Sequence, residues 1–399
     1  MTWCVLVVAA LLAAAPAPAS ADWARDALDD QYYLGSALPL RDAQWVGTHN
    51  SFNSVAEMGP TLSAQDSNQK ITLEDQLDSG VRSLELDVHL FPSASGGGPA
   101  PVVCHAAELH AGCSAEKPLP VVLDEVGRWL ARHPRVVVLL YLEDHLDTEA
   151  GYDAGAAAVE QKLGGVLYRP SGGGCRPLPL DLTRSAVRRA GKQVVVVGSC
   201  GMGSGWPAFA FDWSKVHDEK RPIGYQDFPG CGPDFTRAEY DAKLIRYFED
   251  STQVTTGASA VGASERDDGI TVETAGRMTR CGVDLLGLDQ LAADDPRFEA
   301  LVWSWAPGQP ARSHGCAAQQ GARWYALRCD RRLRVACRVS DGRWRVPSAL
   351  AQYGDAPRLC ARRGARFTVP RTGYEAQTLR VAMERAHAGR VWLRYRATR

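Results

Sequence analysis

Five short stretches carry the residues of this chain that are equipped for chemistry: Gly47-Thr48-His49-Asn50-Ser51, Ser83-Leu84-Glu85-Leu86-Asp87, Val102-Val103-Cys104-His105, Leu140-Tyr141-Leu142-Glu143-Asp144-His145 and Leu286-Gly287-Leu288-Asp289. In each, a polar group follows an apolar run that reads as a buried strand. Carboxylate and amide oxygens from Asn50, Glu85, Asp87 and Glu143 suit a hard cation such as Ca²⁺. Two imidazoles, His49 and His105, suit a general base and a general acid. An oxygen-ligated cation flanked by an acid and a base points to phosphodiester chemistry.

Strand geometry supports the grouping. Side chains alternate along a strand, so Glu85 and Asp87 share one face while Leu84 and Leu86 take the other. Two acids side by side on an inner face repel one another unless a cation joins them. His89 falls on the same face and His145 follows Glu143, so both are expected beside the ligands rather than among them. Zinc is disfavoured, because no Cys-x-x-Cys pair and no His-x-x-x-His run is present.

The elements that must position these residues alternate in type. Strand-like runs fall at 44–47, 81–88, 101–104, 136–142, 193–198, 223–227, 283–289 and 301–305, and helix-like runs at 73–80, 123–133, 183–190, 236–249 and 271–280. Eight strands alternating with helices predict a (β/α)₈ TIM-type barrel, an α/β fold whose chemistry gathers at the carboxyl ends of its strands. An open doubly wound sheet is disfavoured by the lack of a glycine-rich phosphate loop after the first strand.

Residues 1–21 read as a signal peptide, with an apolar core and Ala19-Ser20-Ala21 before a cut after Ala21, so the mature protein is expected to be secreted. Loss of Cys4 with that segment leaves an even set of cysteines, which in an exported chain favours disulfides. Close spacing pairs Cys104 with Cys113. Composition breaks near residue 306: from there to the end stand 20 arginines, no lysine and 5 acids, against 25 basic and 41 acidic residues before it. The expected domains are therefore a barrel over 22–305 and a basic accessory domain over 306–399. Such a basic segment suits an anionic lipid surface or polysaccharide, or docks on the acidic barrel.

Taken together, the motifs resemble the catalytic X-region of phosphoinositide-specific phospholipase C, in the metal-dependent form of eukaryotes and some exported bacterial enzymes. His49-Asn50, Glu85-Leu86-Asp87, His105 and Glu143-Asp144-His145 match its order and spacing over 42–289. The resemblance implies that Asn50, Glu85, Asp87 and Glu143 hold Ca²⁺, that His49 takes the proton of the inositol 2-hydroxyl, and that His105 protonates the departing diacylglycerol oxygen. Asp289 is placed by barrel position to orient His49. Lys220 and Arg221 are candidates for the substrate by location, with unphosphorylated phosphatidylinositol in a membrane as the expected partner. No nucleic acid is expected, and the chain is expected to act as a monomer. Metal-independent bacterial relatives carry an arginine at the position of Asp87, so this chain resembles the Ca²⁺ version. The rival barrels are a glycerophosphodiester phosphodiesterase and a sphingomyelinase-D-like enzyme, whose first motif is His-Arg-Gly rather than His49-Asn50-Ser51. A secreted binding protein with an inactive barrel is the alternative of another class; competent residues at all six positions argue against it.

A second resemblance lies in the tail. Trp303-Ser304-Trp305, Gly315-Cys316-Ala317, Trp324, Cys329 and Ala336-Cys337-Arg338 look like the later half of a C-type lectin-like domain, and 360–392 like the earlier half, in inverted order. This implies a small disulfide-stapled β-rich domain with Cys316–Cys329 and Cys337–Cys360 pairs. The remaining Cys175, Cys200, Cys231 and Cys281 are expected to pair among themselves.

Overall fold

The computed structural model describes residues 20–58, 67–92, 98–106, 110, 112–113, 116–172, 174–232, 237–249, 269–283, 285–311 and 314–397. The expected signal peptide lies outside the described residues except for its last two, which begin the first helix.

The barrel strands are β1 (Trp45–Thr48), β2 (Ser83–Pro92), β3 (Pro99–Val103), β4 (Lys117–Pro118), β5 (Val138–His145), β6 (Arg176–Pro177), β7 (Val194–Gly198), β8 (Ala210–Asp212), β9 (His217–Lys220), β10 (Leu244–Phe248) and β11 (Leu285–Leu288). They form one curled sheet in the order β6-β8-β7-β5-β2-β1-β11-β10-β9, all parallel along that path. This is a mixed α/β fold of TIM-barrel type. The path ends on β6 and β9, and among the described residues no ladder joins those two edges. Just past β8, Trp213 stacks flat on His217 of β9, with ring centroids 3.7 Å apart.

Helices pack outside the sheet: α1 (Ser20–Leu34), α2 (Leu73–Asp78), α3 (Leu119–Arg132), α4 (Glu149–Leu163), α5 (Arg184–Arg189), α6 (Arg237–Ala242), α7 (Val272–Cys281) and α8 (Arg297–Leu301). Their starts obey local rules. Thr72, Thr148, Thr183 and Thr271 each accept a backbone N–H of the first turn through the side chain, the usual N-cap device. Among the described residues no helix is long and apolar enough to cross a membrane.

Several expectations change. The run 101–104 lies in β3, which is antiparallel to β2, so His105 ends a hairpin arm and not a barrel strand. The run 223–227 is not a strand, and Ile223 is exposed. The run 236–249 is not one helix: α6 stops at Ala242 and Leu244–Phe248 becomes a central strand. Its apolar Leu244 and Ile245 satisfied a helical pattern over a short window, but both are wholly buried between neighbouring strands. The run 301–305 contributes only a single bridge, Trp305 to Trp324.

Beyond the barrel, β12 (Cys316–Gln320), β13 (Arg323–Leu327), β14 (Arg334–Val335) and β18 (Val391–Arg396) make one sheet, while β15 (Cys337–Arg338), β16 (Trp344–Arg345) and β17 (Arg366–Phe367) make another, with α9 (Ala356–Ala361) and α10 (Gly373–Arg385) beside them. The disulfides are Cys104–Cys113, Cys175–Cys200, Cys231–Cys281, Cys316–Cys329 and Cys337–Cys360, as expected where partners were expected.

This segment packs on the amino-terminal rim of the barrel. A cavity of 220 Å³ between them is lined by Gln44 and Val283 from the rim and by Arg338, Arg371 and Tyr374 from the tail. A Cβ on Gly373 would come 2.2 Å from the Thr279 carbonyl oxygen, so α10 meets α7 this closely only with glycine there. Tryptophans close the junction: Trp324 is fully buried, with Trp303 and Trp305 edge-on at 5.5 and 5.7 Å. Gln31 of α1 accepts from the Trp303 and Ser304 N–H groups at 2.7 and 3.1 Å. Truncation of Trp324 to alanine opens a cavity in this joint core; denaturant unfolding should show a loss of about 3–5 kcal/mol.

Candidate active site

The sequence motifs converge at the carboxyl ends of the strands. On β2, Glu85, Asp87 and His89 project to one face while Leu84, Leu86 and Val88 fill the other and are wholly buried. The parallel register sets Asp87 beside Glu143 and His89 beside His145 on β5. After β1 the chain turns sharply, with Asn50 in the left-handed region at φ 44°. Asparagine tolerates that conformation. Ser51 pins the turn to β2: its N–H donates to the Glu85 carbonyl at 3.0 Å, and its hydroxyl accepts from the Glu85 N–H at 2.9 Å.

Glu85, Asp87 and Glu143 bring carboxylate oxygens within 4.8 Å of one another. Burial pushes Asp87 well above the usual carboxylate range, and the neighbouring Glu143 and Glu85 charges add to the push. Glu143 is held low instead, chiefly by its hydrogen bond from His145, 3.1 Å away. The Asn50 side-chain amide lies 2.7 and 2.8 Å from the two Asp87 oxygens. If its NH₂ faces Asp87, it simply donates. If its carbonyl faces Asp87, three oxygens crowd a point that a proton on Asp87 or a cation relieves, and its NH₂ then meets His49 Nε2 at 3.4 Å. The all-oxygen donor set fits a hard divalent ion of the Ca²⁺ type.

Glu85 has another partner that the sequence reading missed. Arg246 of β10 reaches it with both terminal nitrogens, Nη1 to Oε1 at 2.8 Å and Nη2 to Oε2, and extends Nη1 to Glu219 at 3.1 Å. Assigning 236–249 to a helix hid this residue; the alternation of Leu244, Arg246 and Phe248 with Ile245 and Tyr247 was the available signal.

His49 sits edge-on to Phe248 and places Nδ1 3.1 Å from Asp289. Burial alone pulls its imidazole down, but the Asp289 and Glu85 carboxylates outweigh that and raise it to about 9. A divalent ion beside Asp87 opposes this rise. Asp289 is itself held by Asn68 at 3.3 Å and Gln69 at 3.5 Å, and Gln69 donates to the His49 carbonyl at 2.6 Å.

His105 stands across the mouth, behind which the Cys104–Cys113 disulfide closes its loop. Its Nδ1 lies 3.2 Å from Asn53 Nδ2, which also donates to Asn68 Oδ1 at 2.7 Å. A buried chain of side chains, Asp289–Asn68–Asn53, thus joins the two histidines. Asn53, Asn68 and Gln69 are wholly buried. They escaped the sequence reading because isolated amides in loops form no motif.

His89 is fully buried and stacks on His145 at 4.4 Å, and its Nδ1 meets His110 Nδ1 at 2.9 Å. Burial lowers it to about 3, with His145 and His110 adding to the effect. His89 and His145 thus stand beside the acids. His110 joins them and pairs with Asp147 at 3.0 Å. Of the two substrate candidates, Arg221 lies over the Phe248 ring at 4.8 Å, near His49. Lys220 does not join it: it pairs in register with Tyr247, on the face opposite Glu219 and Arg246.

The family model described as "Rv2075c PI-PLC-like domain" matches residues 6–295. The uncharacterized protein Rv2075c of Mycobacterium tuberculosis (strain ATCC 25618 / H37Rv) is 40% identical over 392 residues, covering 94% of this chain and 80% of that protein. A PI-PLC X domain-containing protein of Arabidopsis thaliana is 31% identical over 121 residues, or 29% of this chain and 26% of that one. Among solved structures, a phosphatidylinositol-specific phospholipase C of Staphylococcus aureus is similar at a TM-score of 0.47 and 13% identity, covering 69% of this chain and 98% of that chain.

If Asp289 is what raises His49, Asp289→Asn in metal-free protein should bring the imidazole down from about 9 toward its ordinary 6.5. Histidine NMR titration reads this directly, and an unmoved midpoint contradicts the pairing.

Proposed function

Because the chain belongs to the Rv2075c PI-PLC-like family and is a phosphoric diester hydrolase of the phosphatidylinositol phospholipase type, we propose that it releases diacylglycerol from phosphatidylinositol, with Ca²⁺, His49 as base and His105 as acid. The observation that carries this reading is the His49–Asp289 pair, 3.1 Å apart, standing against the Asn50–Asp87 contact.

Asp289 accepts the Nδ1 proton of His49, which leaves Nε2 to take the proton of the inositol 2-hydroxyl. That oxygen bonds to phosphorus as the bond from phosphorus to the glycerol oxygen breaks. His105 delivers a proton to the departing oxygen. Because the nucleophile belongs to the same molecule as the phosphate, attack gains the effective molarity of an intramolecular reaction. Water then opens part of the cyclic inositol phosphate with the two histidines in exchanged roles. Asn50, Asp87 and Glu143, with Glu85 beside them, would hold Ca²⁺, which when bound would lower the hydroxyl pKa and stabilise phosphoryl charge. The commitment of Arg246 to Glu85 and Glu219, and the outward face of Lys220, support an unphosphorylated inositol ring.

Five disulfides support export to an oxidising compartment. Residues 306–399 are proposed as an accessory module of the exported protein. Two disulfides closed within that segment support this, as do its separate small sheets.

Phosphorus NMR on phosphatidylinositol tests the reaction class: cyclic inositol phosphate is expected, whereas a free headgroup or glycerol phosphate overturns the reading. EDTA should abolish turnover and Ca²⁺ restore it, with Mg²⁺ poor because it demands tighter octahedral geometry. His49→Ala and His105→Ala should each lower kcat by about 10²-fold or more. Normal turnover in His105→Ala removes it as the acid.

A further inference from the structure

Both oxygens of Glu85 are already engaged. Arg246 grips them as a fork, Nη1 on Oε1 at 2.8 Å and Nη2 on Oε2, and the Asn50 N–H donates to Oε2 at 3.2 Å. The pair is deeply buried, with side chains about 5% and 4% exposed. Arg246 is held in place from its other sides by Glu219 at 3.1 Å and by the rings of Tyr141 and Phe248, 5.6 and 5.2 Å from the guanidinium carbon. To ligate a cation, Glu85 must give up a buried bidentate ion pair and leave the guanidinium to Glu219 alone, which costs stability in a low-dielectric site.

We propose that Arg246 withdraws Glu85 from the cation, so that Asn50, Asp87 and Glu143 are the protein ligands and Glu85–Arg246 is a fixed ion pair beside them. This rests on the Ca²⁺-dependent reading above. Water or substrate oxygens complete the coordination of an ion that takes 6–8 oxygens in general. The arrangement also explains why an arginine on a strand opposite β5 belongs to this site at all: it pairs with Glu85 and, through it, holds the Asn50 turn.

Eu³⁺, a luminescent stand-in for Ca²⁺, reports the number of coordinated waters from its lifetimes in H₂O and D₂O. The full chain is loaded with Eu³⁺, and displacement by Ca²⁺ shows that both occupy one site. Asp87→Asn and Glu143→Gln should each weaken Eu³⁺ binding and add coordinated water. Glu85→Gln, whose amide oxygen still accepts from Arg246, should leave the water count unchanged. Circular dichroism confirms that each variant is folded; should Glu85→Gln fail to fold, Arg246→Gln, which breaks the two-point ion pair and frees Glu85 to reach the ion, should remove coordinated water, and an unchanged count there overturns the proposal. An added water in Glu85→Gln, equal to that in Asp87→Asn, overturns the proposal, as does a wild-type chain from which Ca²⁺ displaces no Eu³⁺. Cleavage of phosphatidylinositol is assayed separately. Wild-type turnover together with an added water in Glu85→Gln defeats this inference alone, whereas the expected water counts without turnover defeat the substrate assignment alone.

Discussion

Three carboxylates lie within 4.8 Å of one another at the mouth of the barrel, two of them on one buried strand face, and much of the site follows from how that charge is balanced. Each acid has a different answer. Glu85 is matched by Arg246, Glu143 takes the His145 imidazole, and Asp87 is left to the Asn50 amide and to a proton or a cation. Because burial raises the cost of an unmatched charge, the Glu85–Arg246 pair also anchors β2 to β10. Asp289 chiefly, with Glu85 adding to it, raises the His49 imidazole against the pull of burial.

A second layer of order comes from neutral amides. Asn53 and Asn68 bridge from Asp289 to His105, while Gln69 ties Asp289 to the backbone at His49 and Leu288. Asp289 is braced from behind by Glu249, which accepts its N–H, and by Arg297, which donates to its carbonyl at 2.6 Å. Histidines that exchange protons need defined ring orientations, and buried hydrogen bonds with no solvent competitor supply them.

The arginine-rich tail meets the barrel at the end away from this chemistry. Its contacts run to α1, α7 and the segment before β1, beside tryptophans of which two donate their indole N–H groups: Trp305 to Asp30 at 2.8 Å and Trp303 to Gln44 at 2.9 Å. With 20 arginines against 5 acids, the tail carries a basic surface that the barrel lacks. The tail therefore adds positive charge without entering the mouth.

The sequence by itself determined the local side of this protein. Apolar alternation in 83–88 set which residues share a face, the unbroken apolar run 136–142 marked a buried strand, and the short motifs put His49, Glu85, Asp87, His105 and Glu143 beside strand-like runs. Period-two geometry needs no knowledge of the rest of the chain, which is why those features were legible. Tertiary structure decided everything that depends on distant partners. Arg246 meets Glu85 across 161 residues, Asn68 meets Asp289 across 221, and Asn53 meets His105 across 52. It also decided that 244–248 is a strand, since its apolar residues fit a helical pattern locally and became a strand only between β9 and β11. Local periodicity ranks faces within one element; which charges and amides meet is set only when the sheet curls and brings separate elements to one end.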